Sequence, residues 1–131
     1  MEPNKNDLTR LRQDALSIFH SALAAVDPEE AIRRHLQLEA GTLSVGDHRY
    51  DLNACERILV VGAGKAVAPM AKALEDLLGD RITAGVLVVK DGHGLPLKKI
   101  RIQEAGHPVP DERGVAGTHA VTSSSENSCT A

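Results

Sequence analysis

The chain has 131 residues, the size of one ordinary domain, and its 42% hydrophobic and 25% charged content suits a globular core. Aromatics make up 2% with no Trp, so the core is aliphatic and base stacking on single-stranded nucleic acid is disfavoured. A net charge of −3 leaves no basic nucleic-acid footprint, and no apolar run reaches the length of a membrane span.

The first six residues carry no apolar signal core, which predicts a chain without a standard secretory leader. Cys55 and Cys129 are far apart, so no disulfide framework is expected and the cytoplasm is the default compartment. Residues 8–26 read as a first helix with Asp7 as its cap. Leu8, Leu11, Ala15, Ile18 and Ala22 form one stripe, with Leu16, Phe19, Leu23 and Val26 beside it, which predicts a wide buried face. Asp27-Pro28-Glu29-Glu30 reads as a second helix start, and Arg33-Arg34-His35 as its solvated, dipole-complementing end.

Residues 42–52 read as a β-hairpin turned by Gly46-Asp47, which sets Leu43 opposite Tyr50 and Val45 opposite His48. Ile58-Leu59-Val60-Val61 is a continuous apolar run, the pattern of a strand buried on both faces. Residues 65–78 form its crossover helix, ended by Gly79, and Val86-Leu87-Val88-Val89 is a second buried strand. Strand, helix, strand is a βαβ unit with a parallel pair. Residues 98–104 alternate apolar and polar, which predicts an edge strand; the short gap before it leaves no room for a helical crossover and allows an antiparallel neighbour. Asp111 caps a last helix with a weak stripe of Val115, Ala116 and Val121. Residues 122–131 are polar and aperiodic and are expected to be disordered. The fold class is therefore α/β: a partial doubly wound, Rossmann-like parallel sheet with N-terminal helices and a small β-hairpin, truncated after residue 121.

Gly62-Ala63-Gly64-Lys65 sits at the strand-to-helix turn, where this fold class binds anions through helix N–H groups and the helix dipole. A Walker A loop would need Gly where Leu59 stands and Ser or Thr where Ala66 stands; the dinucleotide fingerprint would need a third glycine at Val67. The residues alone leave two readings, an anion-binding turn or a tight turn with a solvated lysine. Lys90-Asp91-Gly92-His93-Gly94 and Ala105-Gly106-His107-Pro108-Val109-Pro110-Asp111 follow strands and lie at the same sheet edge. They read either as ligand-facing loops or as turns with solvated or backbone-bonded histidines. The scattered histidines show no metal spacing.

Taken in order, Asp14-Ala15 with Phe19, Val60 to Ala66, Met70-Ala71, Gly92-His93-Gly94 and Gly106 to Asp111 resemble the start of the class II glycerate 2-kinases, often named hydroxypyruvate reductases, over roughly residues 8–121. The resemblance implies ATP-dependent phosphorylation of D-glycerate to 2-phosphoglycerate with Mg²⁺. It implies Lys65 as the active-site lysine, with Gly62, Gly64, His93 and His107 as substrate or phosphate contacts. Family members are several times longer and place the site between two domains, so this chain is expected to be an N-terminal piece without activity of its own. An NAD(P)-dependent hydroxypyruvate reductase and a non-enzymatic α/β piece that pairs with another chain are the alternatives.

Overall fold

The computed structural model describes residues 4–126. Helix α1 (Lys5–Ala25) starts earlier than the apolar stripe suggests: Asn4, not Asp7, is its cap and accepts from the Asn6 N–H at 3.3 Å. Its stripe exists, but the expected burial does not. Leu8, Leu11, Leu16, Ile18, Phe19 and Leu23 are 47–71% exposed, because no other described element covers the helix. Helix α2 (Pro28–His35) begins as its sequence predicts: Asp27 accepts from the Glu30 N–H at 2.9 Å, and Pro28 occupies the first turn. Arg33 pairs with Glu29 and Glu30, while Arg34 donates to the Ala25 carbonyl and closes the end of α1.

A three-stranded antiparallel sheet follows, β1 (Leu36–Glu39), β2 (Thr42–Val45) and β3 (His48–Asp51). The β2–β3 register is the expected one, Leu43 opposite Tyr50 and Val45 opposite His48. Strand β1 is an addition to the expected hairpin. It is joined through Ala40 and Gly41, both at positive φ (49° and 86°), the geometry of a two-residue hairpin turn. Leu38, Leu43 and Leu52 carry this small sheet onto the main core.

The main sheet is β4 (Leu59–Ala63), β5 (Ala84–Lys90) and β6 (Ile100–Ala105), in that order and all parallel. Helix α3 (Val67–Leu78) and a 3₁₀ turn (Gly79–Arg81) connect β4 to β5. The possible antiparallel pairing of β6 is corrected: it runs parallel to β5 without a helical crossover. The nine residues between them, 91–99, can reach about 30 Å when extended, enough to return along a strand of six residues. The Glu75 carboxylate receives the chain on its return, accepting from the N–H groups of Lys98, Lys99 and Ile100 at 2.7–3.1 Å.

Helix α4 (Glu112–Glu126) lies against β5 and β6. Its packed face is Gly114, Gly117, Ala120, Val121 and Ser124, whereas Val115 and Ala116 are exposed. A Cβ on Gly117 would sit 2.6 Å from Val88 Cγ2, so the absent side chain sets how near the helix approaches. The helix also runs five residues past the expected boundary at 121. Thr118, Thr122 and Ser124 donate back to helix carbonyls one turn earlier, so their hydroxyls are satisfied within the helix. The rest of the expected polar tail, 127–131, lies outside the described residues. Ala68, Ala71, Leu78, Ile82, Leu87, Val89 and Ile100 form the aliphatic core between α3 and the sheet. Val61 is 47% exposed rather than buried on both faces, because α4 packs mainly on β5 and β6 and leaves its side of β4 largely open. No helix of the described residues is long and apolar enough to cross a membrane.

Candidate functional site

Strands β4, β5 and β6 are parallel, so their carboxyl ends open on one side. At the end of β4 the Gly64 N–H donates to the Val88 carbonyl at 2.9 Å, and Gly64 takes φ +124°, a conformation that favours glycine. The chain then turns through Lys65 into α3, which starts at Val67, two residues later than the sequence suggests. Ala66 is the N-cap and its methyl caps nothing, so the first-turn N–H groups and the positive end of the helix dipole are left to a ligand or water.

An open pocket of about 490 Å³ lies here, lined by Gly64, Lys65, Lys90, Gly106 and His107 with apolar walls from Ala63, Val88 and Ala105. Three of the five residues that sequence reasoning selected thus come together: Gly64, Lys65 and His107. Gly62 does not line the pocket. It sits inside β4, where a Cβ would lie 3.3 Å from Leu87 Cδ2 and 3.4 Å from Val67 Cγ1, so it makes room for the first turn of α3. His93 is exposed in the loop after β5, where its N–H donates to the Lys90 carbonyl, and it is not in the lining.

Lys90 is a further lining residue, and its sequence signal is a lysine ending an apolar strand at the same edge as the glycine turn. Neither Lys65 nor Lys90 has a carboxylate partner among the described residues, and no carboxylate lines the pocket. The nearby aspartates are engaged elsewhere. Arg113 donates from Nη1 and Nη2 to the two oxygens of Asp91, each at 2.7 Å, and from Nε to Asp111 Oδ2 at 2.8 Å. Arg113 holds the Asp111 carboxyl below its ordinary value; burial opposes this, and the Gly114 and Gly106 N–H groups add to it. Asp91, and then Asp111, raise the guanidinium in turn. Arg113 has no such signal, because its partners lie 22 and 2 residues away with no local pattern joining them.

The model of the domain of unknown function DUF4147 matches residues 14–130. The chain is 34% identical over 107 residues to the glycerate 2-kinase of Pyrococcus horikoshii, covering 82% of this chain and 23% of the relative. It is 36% identical over 116 residues to the D-glycerate 2-kinase of Thermotoga maritima, covering 88% and 24%. A crystal structure of a Pyrococcus horikoshii protein superposes with a TM-score of 0.71 at 33% identity, over 83% of this chain and 24% of that one. The chain therefore spans about a quarter of the length of the curated relatives it matches.

Proposed function

The chain belongs to the DUF4147 family, and from that premise we propose that its carboxyl-edge pocket is the phosphate-facing part of a glycerate 2-kinase site. One observation carries the reading: Lys65 stands beside an uncapped helix start in a pocket lined by two lysines and no carboxylate. Phosphoryl transfer asks a protein mainly for positioning and for charge stabilisation. In this reading Gly64 admits the ATP phosphates to the backbone, and the first turn of α3 donates N–H groups to them. Lys65 neutralises charge on the transferred group or on the carboxylate of D-glycerate. Lys90 supplies a second positive charge from the neighbouring strand, and His107 offers a ring nitrogen to a substrate hydroxyl.

Mg²⁺, when bound, offsets charge on nucleotide phosphates. The residues here do not fit a resident metal: the pocket has no carboxylate, and among the described residues no three His, Cys, Asp or Glu gather in a metal-holding group. The metal would arrive with the nucleotide, and no step is assigned to it. The 131-residue chain supplies part of the site and is expected to bind without turnover, in a cytoplasmic setting.

Titration of the chain with ATP, D-glycerate and NADH, followed through backbone amide shifts, tests this. ATP and glycerate should each move the amides of residues 64–67 and 106–107, and a coupled assay should detect no 2-phosphoglycerate. Shifts with NADH alone would overturn the reading in favour of a reductase. Turnover at the rate of a full-length kinase would overturn the division of the site.

A further inference from the structure

Two loops wall the pocket, and one side chain joins them. The first leaves β5 at Lys90 and Asp91. The second leaves β6 through Gly106 and His107 and ends at Asp111. Arg113, in the first turn of α4, grips both: two bonds of 2.7 Å to the Asp91 carboxylate and one of 2.8 Å to Asp111. Asp111 passes the hold onward. Its Oδ2 accepts from the Gly106 N–H at 3.1 Å, one residue before His107, and its Oδ1 accepts from the Gly114 N–H at 3.1 Å. The Asp91 N–H donates to the Ala105 carbonyl at 3.1 Å, so the two loops also meet through backbone.

We propose that Arg113 is the positioning residue of this pocket: by sharing its guanidinium between Asp91 and Asp111 it fixes the Lys90 loop against the His107 loop and withdraws both carboxylates from the anion site. The inference rests on the reading of the pocket as an anion site. Two arguments support it. Asp91 directly follows Lys90, and Asp111 lies four residues after His107; unpaired, either would compete with a phosphate for the pocket's lysines and repel it. A planar guanidinium can satisfy two carboxylates at once with fixed geometry, which a lysine ammonium cannot. Arg113 is thus set apart from Lys65 and Lys90: it touches the walls, not the ligand.

The test uses the 131-residue chain and the variants Arg113→Gln, Arg113→Lys, Asp91→Asn and the double variant Asp91→Asn/Arg113→Gln. Without ligand, Arg113→Gln should shift the amides of both loops together, 90–94 and 105–111, and speed hydrogen exchange at the Gly106 N–H, with β4 amides unmoved. Inorganic phosphate, titrated against the amides of residues 64–67, should bind about tenfold more weakly to Arg113→Gln, the cost of misplaced walls, and Arg113→Lys should recover less than half of that loss. The double variant should lose no more than Arg113→Gln alone, because both changes break one bridge. Asp91→Asn breaks it from the other side and answers the question even if Arg113→Gln fails to fold. Unmoved loops, unchanged phosphate affinity in a folded variant, or additive losses would overturn the proposal. If the unaltered chain shows no phosphate shift, the anion reading falls, while the exchange and loop shifts still decide whether Arg113 fixes the two loops.

Discussion

Strand β6 is held by a charged side chain at each end, and the two ends put the charge to different uses. At the amino end the Glu75 carboxylate, half-buried on α3, accepts from three consecutive N–H groups, those of Lys98, Lys99 and Ile100. At the carboxyl end Arg113 bridges two exposed or half-exposed aspartates on loops that already have backbone bonds of their own. The carboxylate therefore stands in for missing secondary structure, as a helix cap does, whereas the guanidinium joins parts that are already formed. The difference separates fold from function: loss at the amino end should unseat β6, and loss at the carboxyl end should loosen only the pocket.

The largest effect expected from this contrast is Glu75→Ala. It leaves three N–H groups without their acceptor, one of them on Ile100, which is 4% exposed. Losing a charged acceptor at such a site costs about 2–3 kcal/mol. Urea unfolding near neutral pH should show a lower midpoint. A midpoint equal to that of the unaltered chain would show that β6 docks through its side chains alone.

A smaller effect follows from titrating the same group. Burial pushes the Glu75 carboxyl up, but the three N–H groups together outweigh it and hold the group below its ordinary value of 4.5. A carboxyl lowered by folding contributes stability that is complete above its unfolded value and lost as pH falls through the folded one. Glu75→Gln cannot titrate, so the stability gap between it and the unaltered chain should hold near neutral pH and narrow as pH falls below the ordinary carboxyl range and through the lowered folded value. A constant gap across that window would mean that the carboxylate is not what the N–H groups prefer. The aspartate at the other end, Asp111, is also held low, first by Arg113, but it is unchanged in Glu75→Gln and cancels from the difference.

The same contrast explains what could be read from sequence. The β2–β3 register was legible because Gly46-Asp47 fixes a two-residue turn, and the β4–β5 pair because two apolar runs flank one amphipathic helix. The Lys65 turn was legible for the same local reason. Strand β1 was not, since its turn is Ala40-Gly41, without the Asn or Asp that marks such turns, and its alternation spans only four residues. The direction of β6 is hidden because the group that receives its start, Glu75, lies some 25 residues upstream, and Arg113 is hidden because its partner Asp91 lies 22 residues away. Periodicity carries no record of such partners. The packed face of α4 was missed because it is built from small residues, with Gly117 under Val88, and a search for apolar stripes passes over them.

The smallest effect on the fold is expected from Asp91→Asn, and its smallness is the sharper half of the comparison. The Asp91–Arg113 pair is close, at 2.7 Å, and bidentate, so a count of contacts would rank it among the strongest in the chain. Yet the Arg113 and Asp91 side chains are 53% and 48% exposed, and water and salt compete for both charges. Arg113 also keeps Asp111 when Asp91 is neutralised, so no buried charge is stranded. The urea midpoint of Asp91→Asn should match that of the unaltered chain, at low salt and at high, while the amides of residues 90–94 and 105–111 move. A lowered midpoint would place the clamp in the fold beside Glu75 and remove the distinction between the two ends. An unmoved midpoint with shifted loops would assign Asp91 and Arg113 to the pocket alone, which is what an exposed ion pair between two preformed loops should do.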